Sequence, residues 1–450
     1  MIAQYGLPLG MVLVLLLGIF SGYPVAFVLG GTGVLFVLLT DLPNLFLGTM
    51  VSRVYGGVIA NWLLVAVPMF VYMGLMLERS GLARNLLISL QYMMGGMRGG
   101  LALAVALLGL ILAAGTGVIG ASVVTLGILG LPVMLQNGYN KEIATGTIAA
   151  SGTLGILLPP SIMLVLMGDI LSIPVGDLFV AAVLPGVLLV GLYMIFLITV
   201  AIFRGDLMPA MAVTEKLTRL QMFIRMMRDM VAPIALVMVV LGSIIAGLAT
   251  PTEAASLGAI GATILAATTR QLSWKVLGGT IFETGKITGM IMFVIIGATC
   301  FGVVFARLGG PHMIASMVDA MPFEAWGTLI MLLAIIFVLG FVLEWIEISY
   351  VVLPLFAPIV IALDFGLGLS TTEIMLWFAI LVAVVLQTSF LTPPFGYALF
   401  YLKGVSPKGV TMAMIYRGAA PFVVLQLAAV GLLMLFPALA IWLPRLAFAN

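Results

Sequence analysis

The sequence predicts an all-α, polytopic membrane protein made of two inverted repeats with interrupted helices. Three observations predict it: the composition, the length of the apolar runs, and a set of residues that recurs at a nearly constant offset. Only 8% of the 450 residues are charged and 64% are hydrophobic, and the mean hydropathy is +1.33. A soluble domain carries roughly 25% charged residues and could not hide this much apolar surface. The apolar runs are continuous rather than alternating, which excludes a closed β-barrel. A net charge of +2 implies no nucleic-acid partner. Cys300 and His312 are each single of their kind, so neither an internal disulfide nor a zinc or haem site can form. No Lys or Arg precedes Arg53, and the apolar N-terminus therefore reads as a retained span rather than a cleaved signal.

The apolar runs cover 7–22, 24–40, 58–78, 100–136, 142–168, 176–203, 229–250, 252–268, 287–305, 325–364, 373–402 and 418–443. Two of them, 100–136 and 325–364, exceed the ~20 residues that one crossing needs. Each is interrupted near its middle, the first over 115–122 and the second over 340–349, by residues that break or wet a helix. Each is two full spans or one re-entrant hairpin, and either leaves the remaining topology unchanged. The stretches 41–57, 81–98, 269–286 and 306–324 mix apolar residues with isolated charges, as interfacial helices do.

Basic residues set the orientation. Segment 204–228 holds Arg204, Lys216, Arg219, Arg225 and Arg228 and is placed in the cytoplasm as an amphipathic linker. Segments 79–99, 137–141, 269–286 and 403–417 then fall on the same side, which collects fifteen of the 18 basic residues. Only Arg53, Arg307 and Arg445 remain outside, with both termini.

The two halves match. Pro24 pairs with Pro251 at an offset of 227, Arg79 with Arg307 at 228, Ser122 with Ser349 at 227, and Pro159-Pro160 with Pro393-Pro394 at 234. Five crossings separate Pro24 from Pro251, and an odd number turns the second copy upside down. Inverted repeats with broken helices are the architecture of secondary transporters, whose sites lie at the repeat interface near the midplane.

Backbone leaves helical geometry at membrane depth only where protein or a wet cavity satisfies it. Four such places are expected. Gly117, Gly120 and Ser122 mark the first interruption, and Ser151, Gly152 and Thr153 precede the first Pro-Pro pair. Glu344, Glu347 and Ser349 mark the second interruption, and Thr388, Ser389 and Thr392 lead into Pro393. A proline pair frees carbonyls one turn earlier. Beside hydroxyls, those carbonyls are hard oxygen ligands for an alkali cation, while restarted half-helices aim their N-termini at an anion. Gly, Ser and Thr also serve as helix-packing residues in membranes, and for Thr116, Thr125 and Gly130 alone that reading suffices. Glu344 and Glu347, three apart on one face, are costly inside a membrane and hence functional candidates. Glu253, just after Pro251, fits a helix N-terminus, where an acid is electrostatically favoured. No Lys or Arg lies inside any predicted span.

The chain resembles, over essentially its whole length, the large membrane subunit of tripartite ATP-independent periplasmic (TRAP) transporters. The resemblance rests on Gly22-Tyr23-Pro24-Val25-Ala26-Phe27, on Gly247-Leu248-Ala249-Thr250-Pro251-Thr252-Glu253-Ala254-Ala255, on Ala149 through Gly155 running to Pro159-Pro160-Ser161, and on Leu391-Thr392-Pro393-Pro394-Phe395-Gly396. It implies a sodium-coupled elevator in a bacterial inner membrane, with a scaffold and a mobile domain whose hairpin tips and unwound helices hold sodium ions and substrate. It divides the chain into a first half (1–203, hairpin 100–136, broken helix 142–168), the linker 204–228, and a second half (229–450, hairpin 325–364, broken helix 373–402). It also implies two partners, a small four-helix membrane subunit and a soluble periplasmic receptor. Many members have a serine-rich first tip. Here only Ser122 supplies a hydroxyl, so the first sodium site would rely more on backbone carbonyls.

The expected cargo is a small organic acid anion, carboxylate or sulfonate. A stand-alone anion symporter or proton antiporter of the same architecture is the alternative within transport. An enzyme is excluded by the lack of a metal-binding acid cluster or a nucleophile–base pair, and a channel by the paired broken helices.

Overall fold

The computed structural model describes residues 2–40, 42–43, 45–117, 119–211 and 219–448. Val118 of the first expected tip and residues 212–218 of the expected linker lie outside the described residues. The described residues form α-helices joined by short 3₁₀ and π turns, with no strand among them.

The first half opens with α1 (Ile2–Phe20), α2 (Val25–Leu39) and α3 (Leu45–Val54). A π turn at Tyr55–Ile59 and a 3₁₀ turn at Trp62–Val65, capped by Asn61, lead into α4 (Ala66–Arg79). Then come α5 (Leu82–Met94), α6 (Gly100–Thr116), α7 (Ile119–Gln136), α8 (Lys141–Thr153), α9 (Ile162–Leu171) and α10 (Val175–Phe203). The second half runs α11 (Arg219–Ile245), α12 (Pro251–Thr268), α13 (Trp274–Arg307), α14 (Gly310–Asp319), α15 (Ala325–Leu339) and α16 (Trp345–Glu347). A π turn at Ile348–Val352 continues into α17 (Leu353–Ala362), followed by α18 (Thr371–Ser389), α19 (Tyr397–Val405), α20 (Met412–Leu435) and α21 (Ala438–Phe448).

The boundaries have local causes. Asn140 caps α8 by accepting from the amides of Glu142 and Ile143. Thr250 and Glu253 close a reciprocal capping box at the start of α12, and Ser370 and Glu373 do the same for α18. Glu253 is therefore a helix-start residue. Gly81 and Gly309, which precede α5 and α14, both take left-handed φ, +73° and +90°.

Several expected boundaries shift. Residues 274–307 are one helix, so the stretch 269–286 is in large part the first half of α13 rather than a separate interfacial segment. Lys275, Glu283 and Lys286 lower its hydropathy without interrupting its helical hydrogen bonding, and Glu283 and Lys286 pair one turn apart at 3.8 Å. The expected run 418–443 ends at Leu435 and resumes at Ala438 beyond Pro437. The last residues of the expected linker, 219–228, belong to α11. Among the described residues, seven helical segments are long and apolar enough to cross a membrane, including Val175–Phe203, Trp274–Arg307 and Thr371–Ser389.

The helices trade partners between halves. The helix that follows the matched proline of each half packs across to the other half: α2 on α13, and α12 on α4. Likewise α8 packs on α20 and α18 on α10, while α7 packs on α19 and α17 on α9. Reciprocal contacts of this kind are what a twofold axis between two copies produces. Trp377 of α18 is fully buried at the centre of the main apolar cluster. A smaller cluster of Met11, Leu29, Phe36, Phe301 and Phe305 ties α1 and α2 to α13. Leu17, Phe27, Phe282 and Phe293 point outward, as residues facing lipid do.

Candidate functional site

The site is assembled where the two interrupted runs meet the two broken helices. Helix α6 ends at Thr116, and Gly117 turns the chain with a φ of +58°. A Cβ on Gly117 would lie 3.3 Å from the backbone nitrogen of Ile162, the first residue of α9. Glycine is thus required there both by the dihedral and by the approach of the next element. Gly120 sits equally tightly against the ring of Tyr401 on α19. The first tip therefore touches the restarted halves of both broken helices.

Helix α8 stops at Thr153, tightens into a 3₁₀ turn at Leu154–Ile156, passes Pro159-Pro160 and restarts as α9. Helix α18 stops at Ser389, passes Pro393-Pro394 and restarts as α19. Both Pro-Pro bonds are cis. Proline explains each stop, because it offers no amide and its ring clashes with the preceding turn. The end of α8 is gripped from two sides: a Cβ on Gly152 would fall 2.5 Å from Val123 of α7, and one on Gly109 of α6 would fall 2.5 Å from the Ser151 Cβ. In the second copy, Gly340 at the end of α15 makes room for Ser389 in the same way.

Between the tips and the breaks lies a cavity of about 220 Å³. Gly117, Gly120 and Glu344 line it, as do Ile162, Tyr397 and Tyr401 of the restarted helices. Ile287, Met290 and Ile291 of α13 form its far wall. No basic residue is among its lining residues. The N-termini of α9 and α19 both end at this space, so their partial positive charge falls on whatever occupies it. Tyr397 also donates to the carbonyl of Val342 at 2.8 Å, which ties the second interruption to the second restart.

The remaining candidates do not line it: Gly152 is buried, Thr392 half-buried and Pro393 exposed. Ser122, Ser151, Thr153, Ser349, Thr388 and Ser389 are buried, and Glu347 is 4% exposed. Most hydroxyls donate to carbonyls of their own helix: Thr153 to Ala150, Ser349 to Trp345, Thr388 to Val384, Ser389 to Leu386 and Thr392 to Thr388. Donating in this way keeps the hydroxyl oxygens available as acceptors, and Thr153 uses that capacity. Ser151 and Thr147, one turn apart on α8, are different. Neither hydroxyl has a hydrogen-bond partner, nor do Oε2 of Glu347 and Oε1 of Gln387.

Two residues that sequence reasoning passed over complete the centre. Gln387 donates to Thr153 Oγ1 at 3.3 Å, and Gln426 donates to the Tyr193 hydroxyl at 2.7 Å. The Tyr193 hydroxyl lies close to the Gln387 side chain. These buried side chains bring α8, α18, α10 and α20 together. Gln387 stands 234 residues after Thr153, and Gln426 stands 233 after Tyr193. The first is the offset of the two Pro-Pro pairs and the second is one residue less, so these pairs straddle the axis relating the halves. A search for polar residues at that offset would have found it. Tyr397 and Tyr401 carried no comparable signal, because aromatic residues in a membrane helix ordinarily face lipid or core.

Comparison with known proteins bears on the family and the fold. The family model "Tripartite ATP-independent periplasmic transporter, DctM component" matches residues 10–439. The C4-dicarboxylate TRAP transporter large permease protein DctM of Pseudomonas aeruginosa is 30% identical over 386 residues, 86% of this chain and 87% of that protein. The ectoine/5-hydroxyectoine TRAP transporter large permease protein UehC of Ruegeria pomeroyi is 30% identical over 404 residues, 89% of this chain and 90% of that one. Among solved structures, the Alcanivorax borkumensis YdaH transporter superposes with a TM-score of 0.63 at 15% identity, covering 97% of this chain and 98% of that one. At that identity the match speaks for the fold alone.

Proposed function

The chain belongs to the DctM component family of tripartite ATP-independent periplasmic transporters, and from that premise we propose that it imports a small organic acid anion, a carboxylate or sulfonate, driven by sodium through an elevator movement. It is a multi-pass inner-membrane permease subunit rather than an enzyme. The proposed partners are a small four-helix membrane subunit and a soluble periplasmic receptor that delivers the anion.

One observation carries the sodium reading. Ser151 Oγ, Thr147 Oγ1 and Gln387 Oε1 are buried beside the two breaks with no hydrogen-bond partner. An unpaired buried polar group costs about 1–3 kcal/mol, and an alkali cation coordinated by such oxygens offsets that cost. The cavity supports the same reading. Among the described residues Glu344 is its only acidic or basic lining residue, and when ionised it repels an incoming anion unless cations accompany it. Sodium ions and the N-termini of α9 and α19 would together supply the positive charge that no basic side chain provides. An elevator follows naturally from the layout, with tips and breaks on one side of the cavity and α13 on the other.

Uptake in the reconstituted complex should vanish when sodium is replaced by choline at constant pH. Recovery under a proton gradient alone would sink the sodium assignment. It would favour a proton-coupled carrier, the reading to which the buried, half-unpartnered Glu347 beside Glu344 points. Glu347→Gln would then abolish the proton-driven uptake. Transport by the isolated chain in proteoliposomes would remove the two partners.

A further inference from the structure

A second cavity, of about 640 Å³, opens farther along α13. Arg53 from the last turn of α3 and Arg307 from the last turn of α13 both line it, as do the hydroxyl-bearing Thr49, Thr299 and Tyr350. No Asp or Glu lines it. Among the described residues the ion pairs are Lys286–Glu283, Arg417–Glu142 and Arg445–Glu373, so neither cavity arginine has an acidic partner. The basic-residue distribution leaves Arg53, Arg307 and Arg445 alone on the outer face. Arg445 is neutralised by Glu373 at 2.5 Å. The two unpaired cations of that face therefore line one cavity.

The repeat relation sharpens the point. Arg307 corresponds to Arg79 at the offset of 228, and at 227 the counterpart of Arg53 is Thr280. In one copy Arg79 donates to the Thr280 hydroxyl at 3.4 Å and lies against Gly279. In the other copy the corresponding positions, Arg307 and Arg53, line one cavity, where a second guanidinium replaces the neutral acceptor. Two like charges sharing a concave space repel unless an anion lies between them. Guanidinium forks match the planar oxygen pairs of carboxylates and the oxygens of sulfonates.

We infer that Arg53 and Arg307 form an anion-binding station where the carboxylate or sulfonate cargo pauses between the outer face and the central cavity. The central cavity touches α13 at Ile287–Ile291 and the station touches it from Ala298 to Arg307. At 1.5 Å per residue, Ile291 and Ala298 are roughly 10 Å apart along the helix. The two spaces thus succeed each other along one scaffold wall, and a low-dielectric cleft bearing one sign of charge concentrates the opposite ion. The identity of the ligand rests on the organic-anion reading above; the existence of the oxyanion site does not.

The test separates the two. The full chain, purified in neutral detergent without anionic lipid, is unfolded thermally while sulfate, succinate or isethionate replaces chloride at fixed sodium and ionic strength. At least one of these oxyanions should raise the midpoint. Losing one charge-assisted contact in a solvent-accessible site should weaken its apparent affinity roughly three- to tenfold in Arg53→Gln or Arg307→Gln. Arg53→Lys should retain part of it. The double variant should lose little more than either single one, because the pair acts as a unit. Arg79→Gln, which disturbs only the counterpart contact, should leave it unchanged. In reconstituted uptake of a transported probe, kcat/KM should fall in the glutamine variants with the sodium dependence unaltered. No oxyanion effect on the wild type, or equal affinity in the variants, overturns the station. A midpoint shift produced only by phosphatidylglycerol also overturns it, because the occupant is then lipid. If the oxyanion effect and its arginine dependence hold while no organic anion is transported, the station stands and the transport reading falls.

Discussion

Replacing Ser151 by alanine should push stability and ion binding in opposite directions. The side chain is buried, its hydroxyl has no hydrogen-bond partner, and its Cβ faces the bare Cα of Gly109. Alanine keeps that Cβ, so the grip of α6 on α8 is unchanged. Removing a desolvated, unpaired hydroxyl should stabilise the sodium-free protein by up to about 1–3 kcal/mol. If the oxygen is a sodium ligand, its loss should weaken binding by about 0.6–2 kcal/mol, the range of a polar contact in a membrane interior, or roughly three- to thirtyfold. Thermal unfolding followed by intrinsic tryptophan fluorescence reads both, since Trp377 of α18 is fully buried. In choline chloride the midpoint of Ser151→Ala should equal or exceed that of the wild type. In a sodium titration the rise should require three- to thirtyfold more sodium. Ser161→Ala is the contrast, because Ser161 donates to the Ile156 carbonyl at 2.5 Å beyond the break. It should lower the midpoint and leave the sodium dependence alone. A Ser151→Ala protein that melts earlier in choline and responds to sodium like the wild type would refute the reasoning, since the hydroxyl would then be a structural group.

Other outcomes follow from the same geometry. Gly117→Val forces a β-branched residue into left-handed φ against Ile162, at a cost of ~1–2 kcal/mol for the dihedral and ~1–3 kcal/mol for overpacking; uptake should be lost together with a lower thermal midpoint, and normal uptake would remove the tip from the site. Tyr193→Phe takes from Gln426 the hydroxyl that accepts its amide and should destabilise by ~0.6–2 kcal/mol. A double-mutant cycle with Gln387→Leu should be clearly non-additive, and additivity would mean the chain of contacts is not one network. Cysteines at Asn137 and Asp364, in a Cys300→Ala background, should react with an impermeant thiol reagent from opposite membrane faces. Labelling of both from one face would contradict the inverted repeat.

The sequence by itself determined the class and the parts. Apolar runs of crossing length, basic residues confined to their flanks and two Pro-Pro pairs at matching positions suffice for that, because each is a local consequence of helix geometry or of the cost of putting charge in hydrocarbon. It also located the places where helices stop, and Gly117, Ser151 and Thr388 were legible for that reason. Local hydropathy misled at α13, where three charged residues imitated a boundary inside one continuous helix. Only the tertiary structure decided which of the candidates face the central cavity and which do not. Gly117, Gly120 and Glu344 line that space, whereas Ser389 and Thr388 are sealed in packing. It also brought Gln387 to Thr153 and Gln426 to Tyr193, and set Arg53 and Arg307 around one cavity. The physical reason is common to all of these. Such contacts join residues more than two hundred positions apart, brought together by helices that exchange partners across an axis, and one-dimensional periodicity carries no record of which faces will meet.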